Sequence, residues 1–146
     1  MQVLSRVTRL ARHLDLARRE AFETHGLETW EFDVLTALRR AGSPYQLSPG
    51  RLLRETMVTS GTMTNRVDRL AAKGRVLRLP DPGDKRGVLV RLTDDGRRRV
   101  DAALEDLLEQ ERQLLDALTT SQRESLAAML RMVVAPFDDH ARQPSG

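Results

Sequence analysis

The chain has 146 residues, 40% of them hydrophobic and 3% aromatic, with a net charge of +3, enough for one domain whose core is built mainly of Leu, Val, Met and Ala. It contains no cysteine, which excludes disulfides and thiolate metal sites and fits a reducing compartment. No apolar run approaches the ~20 residues of a membrane span, and the opening MQVLSRVTRLARHL lacks the apolar stretch and cleavage site of a signal peptide, so a cytoplasmic location is expected.

Val3, Val7, Leu10, Leu14, Ala17 and Ala21 recur at helical spacing, which predicts an amphipathic helix to about Thr24, ended by Gly26. A second helix starts near Thr29, its N-cap candidate, buries Trp30, Val34, Leu35 and Leu38, and stops before Gly42 and Pro44. Ser48-Pro49 reads as an N-cap followed by proline at the first helical position. The short helix it opens runs to about Thr56 and buries Leu52 and Leu53. Thr59 or Ser60 caps a helix to Lys73, with Gly74 as its stop. Val76, Leu77 and Leu79 form a short strand ended by Pro80, residues 81–87 a hairpin tip, and Val88, Val90 and Leu92 a returning strand.

Thr93 caps a long helix with Asp94 and Asp95 at its positive end. Val100, Leu104, Leu107, Glu111, Leu114 and Leu118 keep a near-heptad spacing along it. Ser121 and Glu124 fit a capping box for the last helix. That helix turns Leu126, Met129, Leu130, Val133 and Phe137 to one face and is broken late by Pro136. Residues 138–146 read as a disordered tail.

Charge is unevenly placed. Thirteen Lys or Arg stand against six acids between Arg51 and Arg99, a local +7, so the remainder sums to −4. Such concentration is the electrostatic footprint of a duplex binder. Around the helix from Thr59 to Lys73, Met63, Val67, Leu70 and Ala71 share one face, while Gly61, Thr62, Asn65 and Arg69 share the opposite one. Small residues let a helix approach a major groove closely, and Asn and Arg can bond base edges bidentately. The expected DNA contacts are Ser60, Thr62, Thr64, Asn65 and Arg69 on this helix, with Lys85 and Arg86 at the hairpin tip, where the negative potential of a minor groove attracts Arg. Each feature alone equally describes a solvated helix face or a charged turn; their succession favours DNA. Arg97, Arg98 and Arg99 fit phosphate contacts or a solvated run.

The apolar stripes of the first, penultimate and last helices exceed what the central module can cover. They predict a two-fold dimer with half-sites roughly 10 bp apart; the competing arrangement is one larger monomeric core. Asp33, Arg66 and Arg78 fall near the junction of these layers. They suit either an anionic or polar planar ligand or an ion-pair network joining the helices. His13, His25 and His140 are scattered, and neither a phosphate-cradling glycine motif nor a nucleophile elbow is present. No enzyme activity, metal or cofactor is expected.

The order of elements, with TSGTMTNRVDRLAAKGRV followed by LPDPGDKRGVLVRLTDDGR, resembles the winged helix-turn-helix of MarR-family transcriptional regulators. The D-x-x-D-[KR]-R-G wing is among that family's more specific features. The resemblance covers nearly the whole chain and implies a mainly α fold with a small β-wing. A single domain would span 1–137, with the winged module at 28–99 flanked by dimerisation helices at 1–25 and 97–137. It further implies an obligate homodimer on a palindromic operator and repression relieved by a small ligand. GLETWEFDVL and Thr64-Asn65-Arg66 are similar to the urate-responsive branch of PecS and HucR type. There an Asp on the second helix, an Arg on the recognition helix and an Arg entering the wing line the urate pocket, matching Asp33, Arg66 and Arg78. That branch also uses a Trp in the first or an extra N-terminal helix; here no Trp precedes Trp30, which is expected in the core. The implied partners are double-stranded DNA, a second copy of the chain and a small anionic or aromatic effector such as urate, with no membrane. The alternative is a winged-helix protein-interaction module whose basic face meets an acidic partner, separable from a DNA binder by its weaker salt dependence.

Overall fold

The structure, a computed structural model, describes residues 1–141. Its elements run α1 (Gln2–Thr24), α2 (Thr29–Arg40), β1 (Gln46–Leu47), α3 (Pro49–Thr56), α4 (Ser60–Ala72), β2 (Val76–Asp81), β3 (Asp84–Leu92), α5 (Asp94–Leu114) and α6 (Thr120–Ala141). They divide into two compact units, Met1–Gln110 and Glu111 onward. No described helix is long and apolar enough to cross a membrane.

In the first unit the core forms where amphipathic faces converge. Phe22 of α1, Leu35 and Leu38 of α2, Leu52 of α3, Met63 and Leu70 of α4, Val90 of β3 and Val100 of α5 are all essentially out of water. Burying each such side chain stabilises by about 1.5–3 kcal/mol. Phe22 and Phe32 stack with centroids 4.0 Å apart. The strands form one antiparallel sheet in the order β1-β3-β2. β1 has no counterpart in the sequence reading, because two residues carry no readable alternation.

Turn chemistry sets the path between helices. Gly26, Gly42 and Gly74 hold φ values of 68°, 76° and 71°, the left-handed region that favours glycine. Ser48 accepts the Arg51 N–H at 3.2 Å, and Thr59 accepts the Thr62 N–H at 3.3 Å. The cap of α2 is Glu28 and not Thr29: the Glu28 N–H donates to Glu31 Oε2 at 2.8 Å, and Thr29 is already helical. Residues three apart can close this loop, whereas Thr29 stands one position too late.

The wing root is locked to its neighbours. The Thr93 hydroxyl lies 2.7 Å from the Gly74 carbonyl and accepts the Gly96 N–H at 3.0 Å. Arg75 donates to the Gly26 carbonyl at 3.3 Å and Arg99 to the His25 carbonyl at 3.0 Å, with Asp95 beside both guanidinium groups. His25 itself meets Asp106 at 2.5 Å. The turn between α1 and α2, the start of β2 and the first turns of α5 are thereby held as one block.

In the second unit α5 ends at Leu114, earlier than the heptad pattern to Leu118 implies. Leu115 and Asp116 bond back three residues, to Arg112 and Gln113, and Arg123 Nε donates to the Leu115 and Leu118 carbonyls at 3.2 Å. Those carbonyls find an external donor, so the chain can leave the helix. The capping box of α6 is Thr119–Gln122, with reciprocal bonds of 3.2 and 2.9 Å, two residues ahead of the expected Ser121–Glu124. α6 continues through Pro136 to Ala141, so the proline does not break it and no tail begins at 138. An interior proline removes one N–H donor and crowds the carbonyl four residues back, which bends a helix as often as it ends one; here the helix carries on past it. Residues 142–146 lie outside the described residues.

Candidate nucleic-acid interface and effector cleft

α4 presents its polar edge because its other edge is fixed. Met63, Val67 and Leu70 are buried, and two acids at the start of α2 grip a cation on α4 and one at its C-cap. Glu31, with no exposed surface, meets Lys73 Nζ at 2.5 Å, and Glu28 meets Arg69 at 3.4 Å. Ser60, Thr62, Thr64, Asn65 and Arg69 are exposed, as their helical spacing predicts. The hydroxyls are pre-oriented: Thr59 donates to Thr62 Oγ1 at 2.8 Å, and Thr64 donates to the Ser60 carbonyl at 3.1 Å.

The wing is a ladder from Val76↔Leu92 to Asp81↔Asp84, with an irregularity between Pro80 and Asp81. Its tip is therefore only Pro82-Gly83. The seven-residue tip read from the sequence is too long, because turn-forming residues there also fit a paired strand. Asp81 accepts the Gly83 N–H at 2.9 Å and Asp84 accepts the Arg86 N–H at 3.0 Å. The two aspartates thus order the tip's backbone and leave the Lys85 and Arg86 side chains exposed on β3. Arg97–Arg99 is not a uniform phosphate-binding run. Arg97 lies over the Tyr45 ring at 5.4 Å, Arg99 belongs to the wing-root block, and only Arg98 is largely solvated.

Asp33 and Arg66 come together. With Trp30, Glu28, Arg19 and Glu23 they line an open cleft of about 490 Å³ between α1, α2 and α4. Trp30, expected in the core, is half-buried: it packs against the core's edge and lines this cleft. Its Nε1–H donates to Glu28 Oε2 at 2.9 Å, and the guanidinium groups of Arg69 and Arg66 lie 4.8 and 5.6 Å from its ring. Arg78, expected beside Asp33 and Arg66, does not join them. It pairs with Asp68 and lines a separate, more apolar hollow of about 180 Å³ with Thr64, Val67 and Val88. The β2 strand carries it along the flank of α4 away from α2, so the nearest acid is on α4 itself. The residues missed by sequence reasoning are Glu28 and Trp30; the Glu28-x-x-Glu31 spacing was their available signal. Among the described residues, no group of three or more His, Cys, Asp or Glu could hold a metal ion.

Comparisons with known proteins agree with this fold. The MarR family model matches residues 25–87. The chain is 35% identical to the HTH-type transcriptional regulator PecS of Dickeya dadantii over 91% of its length and 80% of that protein's. It is 30% identical to the HTH-type transcriptional repressor NicR of Pseudomonas putida over 84% of its length and 75% of that protein's. It superposes with a TM-score of 0.74 and 28% identity on a cysteine-to-serine mutant of Escherichia coli MarR complexed with operator DNA, covering 92% of this chain and 94% of that one.

Proposed function

Because this chain belongs to the MarR family, we propose that it is a sequence-specific DNA-binding transcriptional regulator, acting in the cytoplasm as a homodimer and as a repressor released by a small ligand. The observation that carries the reading is the exposed edge of α4, Ser60 to Arg69, fixed from behind by a buried apolar face and flanked by a wing whose cations face solvent. In a major groove Asn65 and Arg69 would read base edges, and Lys85 and Arg86 would enter the adjacent minor groove. The dimer is supported by apolar side chains that the single chain leaves in water: Val3, Leu4 and Val7 on α1, and Met129, Val133 and Phe137 on α6.

The cleft suits a planar anionic or polar aromatic effector. The indole of Trp30 offers a stacking face, Arg66 a guanidinium and Asp33 a carboxylate. A ligand there weakens operator binding only by as much as it prefers the geometry that does not bind DNA. Arg78 enters this reading only through a rearrangement that breaks its pair with Asp68.

The test is a mobility shift on duplexes from the gene's own upstream region, at two salt concentrations, with and without urate. A sequence-selective, salt-sensitive shift released by urate is expected. A shift indifferent to urate removes urate as the effector, and no shift at either salt removes the DNA reading in favour of a protein partner.

A further inference from the structure

We propose that Glu28 and Trp30 form a brake on Arg69, holding its guanidinium away from the duplex and so setting how strongly the operator is preferred over other DNA. This rests on the reading of α4 as a recognition helix. One carboxylate oxygen, Glu28 Oε2, accepts from both the Trp30 indole at 2.9 Å and Arg69 at 3.4 Å. The same Arg69 lies 4.8 Å from the Trp30 ring centre. Three groups thus close on one another, and the residue with the best chemistry for a guanine edge is already occupied by protein.

The neighbouring tie shows why this one can open. Glu31 and Lys73 repeat the arrangement one helical turn along both helices, but Glu31 is fully buried and serves as a permanent anchor. Glu28 and Arg69 are 59% and 51% exposed, so water and salt compete with their contact, and its strength is that of a surface ion pair plus a surface cation–π contact. Arg69 leaves only for a partner that binds it better than both together. On non-specific DNA it stays on Trp30. On the operator it must be released first, so the contact lowers operator affinity and leaves background affinity nearly unchanged.

The experiment uses the full chain, a duplex selected from a random-sequence pool by the wild type, and a scrambled duplex. Variants are Glu28→Gln, Arg69→Ala and the double variant, each checked for wild-type helicity. Glu28→Gln, which removes the ion pair and leaves the Trp30 contact, is expected to raise affinity for the selected duplex about 1.5- to fivefold, to raise affinity for the scrambled duplex much less, and to do neither in the Arg69→Ala background.

Trp30 is the only tryptophan of the chain, so its fluorescence reports the contact directly. The selected duplex should change its emission in the wild type and not in Arg69→Ala. An equal rise on both duplexes that persists without Arg69 would mean simple repulsion between Glu28 and phosphate, and overturns the proposal. A fall in affinity would mean that Glu28 aims Arg69 at the base, and overturns it too. If selection recovers no duplex at all, the DNA reading itself fails.

Discussion

At Gly96 a single missing methyl decides how two elements meet. A Cβ there would lie 2.2 Å from the Arg75 carbonyl oxygen. Gly→Ala in a helix interior ordinarily stabilises by about 1 kcal/mol. Gly96→Ala should reverse that sign and destabilise by roughly 1–3 kcal/mol, read as a lower urea midpoint. Glu31 makes the opposite case, a side chain that cannot be dispensed with. Glu31→Ala removes the Lys73 pair and the Glu28 N–H cap together. Lys73, 40% exposed, can turn to water, so a loss of about 1.5–3 kcal/mol is expected from the same urea titration. For DNA, Asn65→Ala should weaken the selected duplex by about 1–3 kcal/mol and relax specificity at one base pair, leaving the oligomeric state unchanged; an unchanged affinity and an unchanged base preference at every position would remove Asn65 from base readout. Such residues are only partly legible in the sequence. The outward set on α4 follows from helical spacing, but a tie between Glu28 and Arg69, forty-one positions apart, leaves no periodic trace.

Among elements, the helices are the most legible, because each repeats its apolar residues often enough to declare a period. Ser48, Thr59 and Thr93 mark their helix starts as hydroxyl caps should. Caps whose acceptor is a longer side chain, at Glu28 and Thr119–Gln122, fall one or two residues from their expected places, since several neighbours carry equivalent groups. The wing is recognisable as a hairpin but its tip is shorter than expected: register depends on which strand residues face each other, which the partner strand decides. The candidate effector cleft is half legible. Asp33 and Arg66 meet there, but Arg78 is withdrawn by Asp68, a choice between acids that no spacing rule settles. The wing carries its own prediction. If Lys85 and Arg86 touch phosphates as well as the minor groove, Lys85→Ala with Arg86→Ala should weaken all duplexes alike. The plot of log affinity against log salt should then flatten by about 0.9 for each phosphate the wing no longer neutralises. An unchanged slope would take the tip off the DNA.

For the whole molecule the governing quantities are charge placement and exposed apolar surface. The excess of +7 between Arg51 and Arg99 against −4 elsewhere gives the chain a field that draws the reading module, and not the remainder, toward a polyanion. Phe137 is 73% and Val133 57% exposed. Replacing Val133 with Asp should give a helical species of one chain mass, 16.5 kDa, by sedimentation, with operator affinity reduced and wild type sedimenting at twice that mass. A lone chain with Phe137, Met132 and Val133 of α6 in water also has a consequence for dosage. If the chain binds its operator only as a pair, occupancy rises with the square of copy number while chains are scarce. A small drop in synthesis, or dilution at cell division, would then open the controlled promoter more abruptly than any single-chain binder allows.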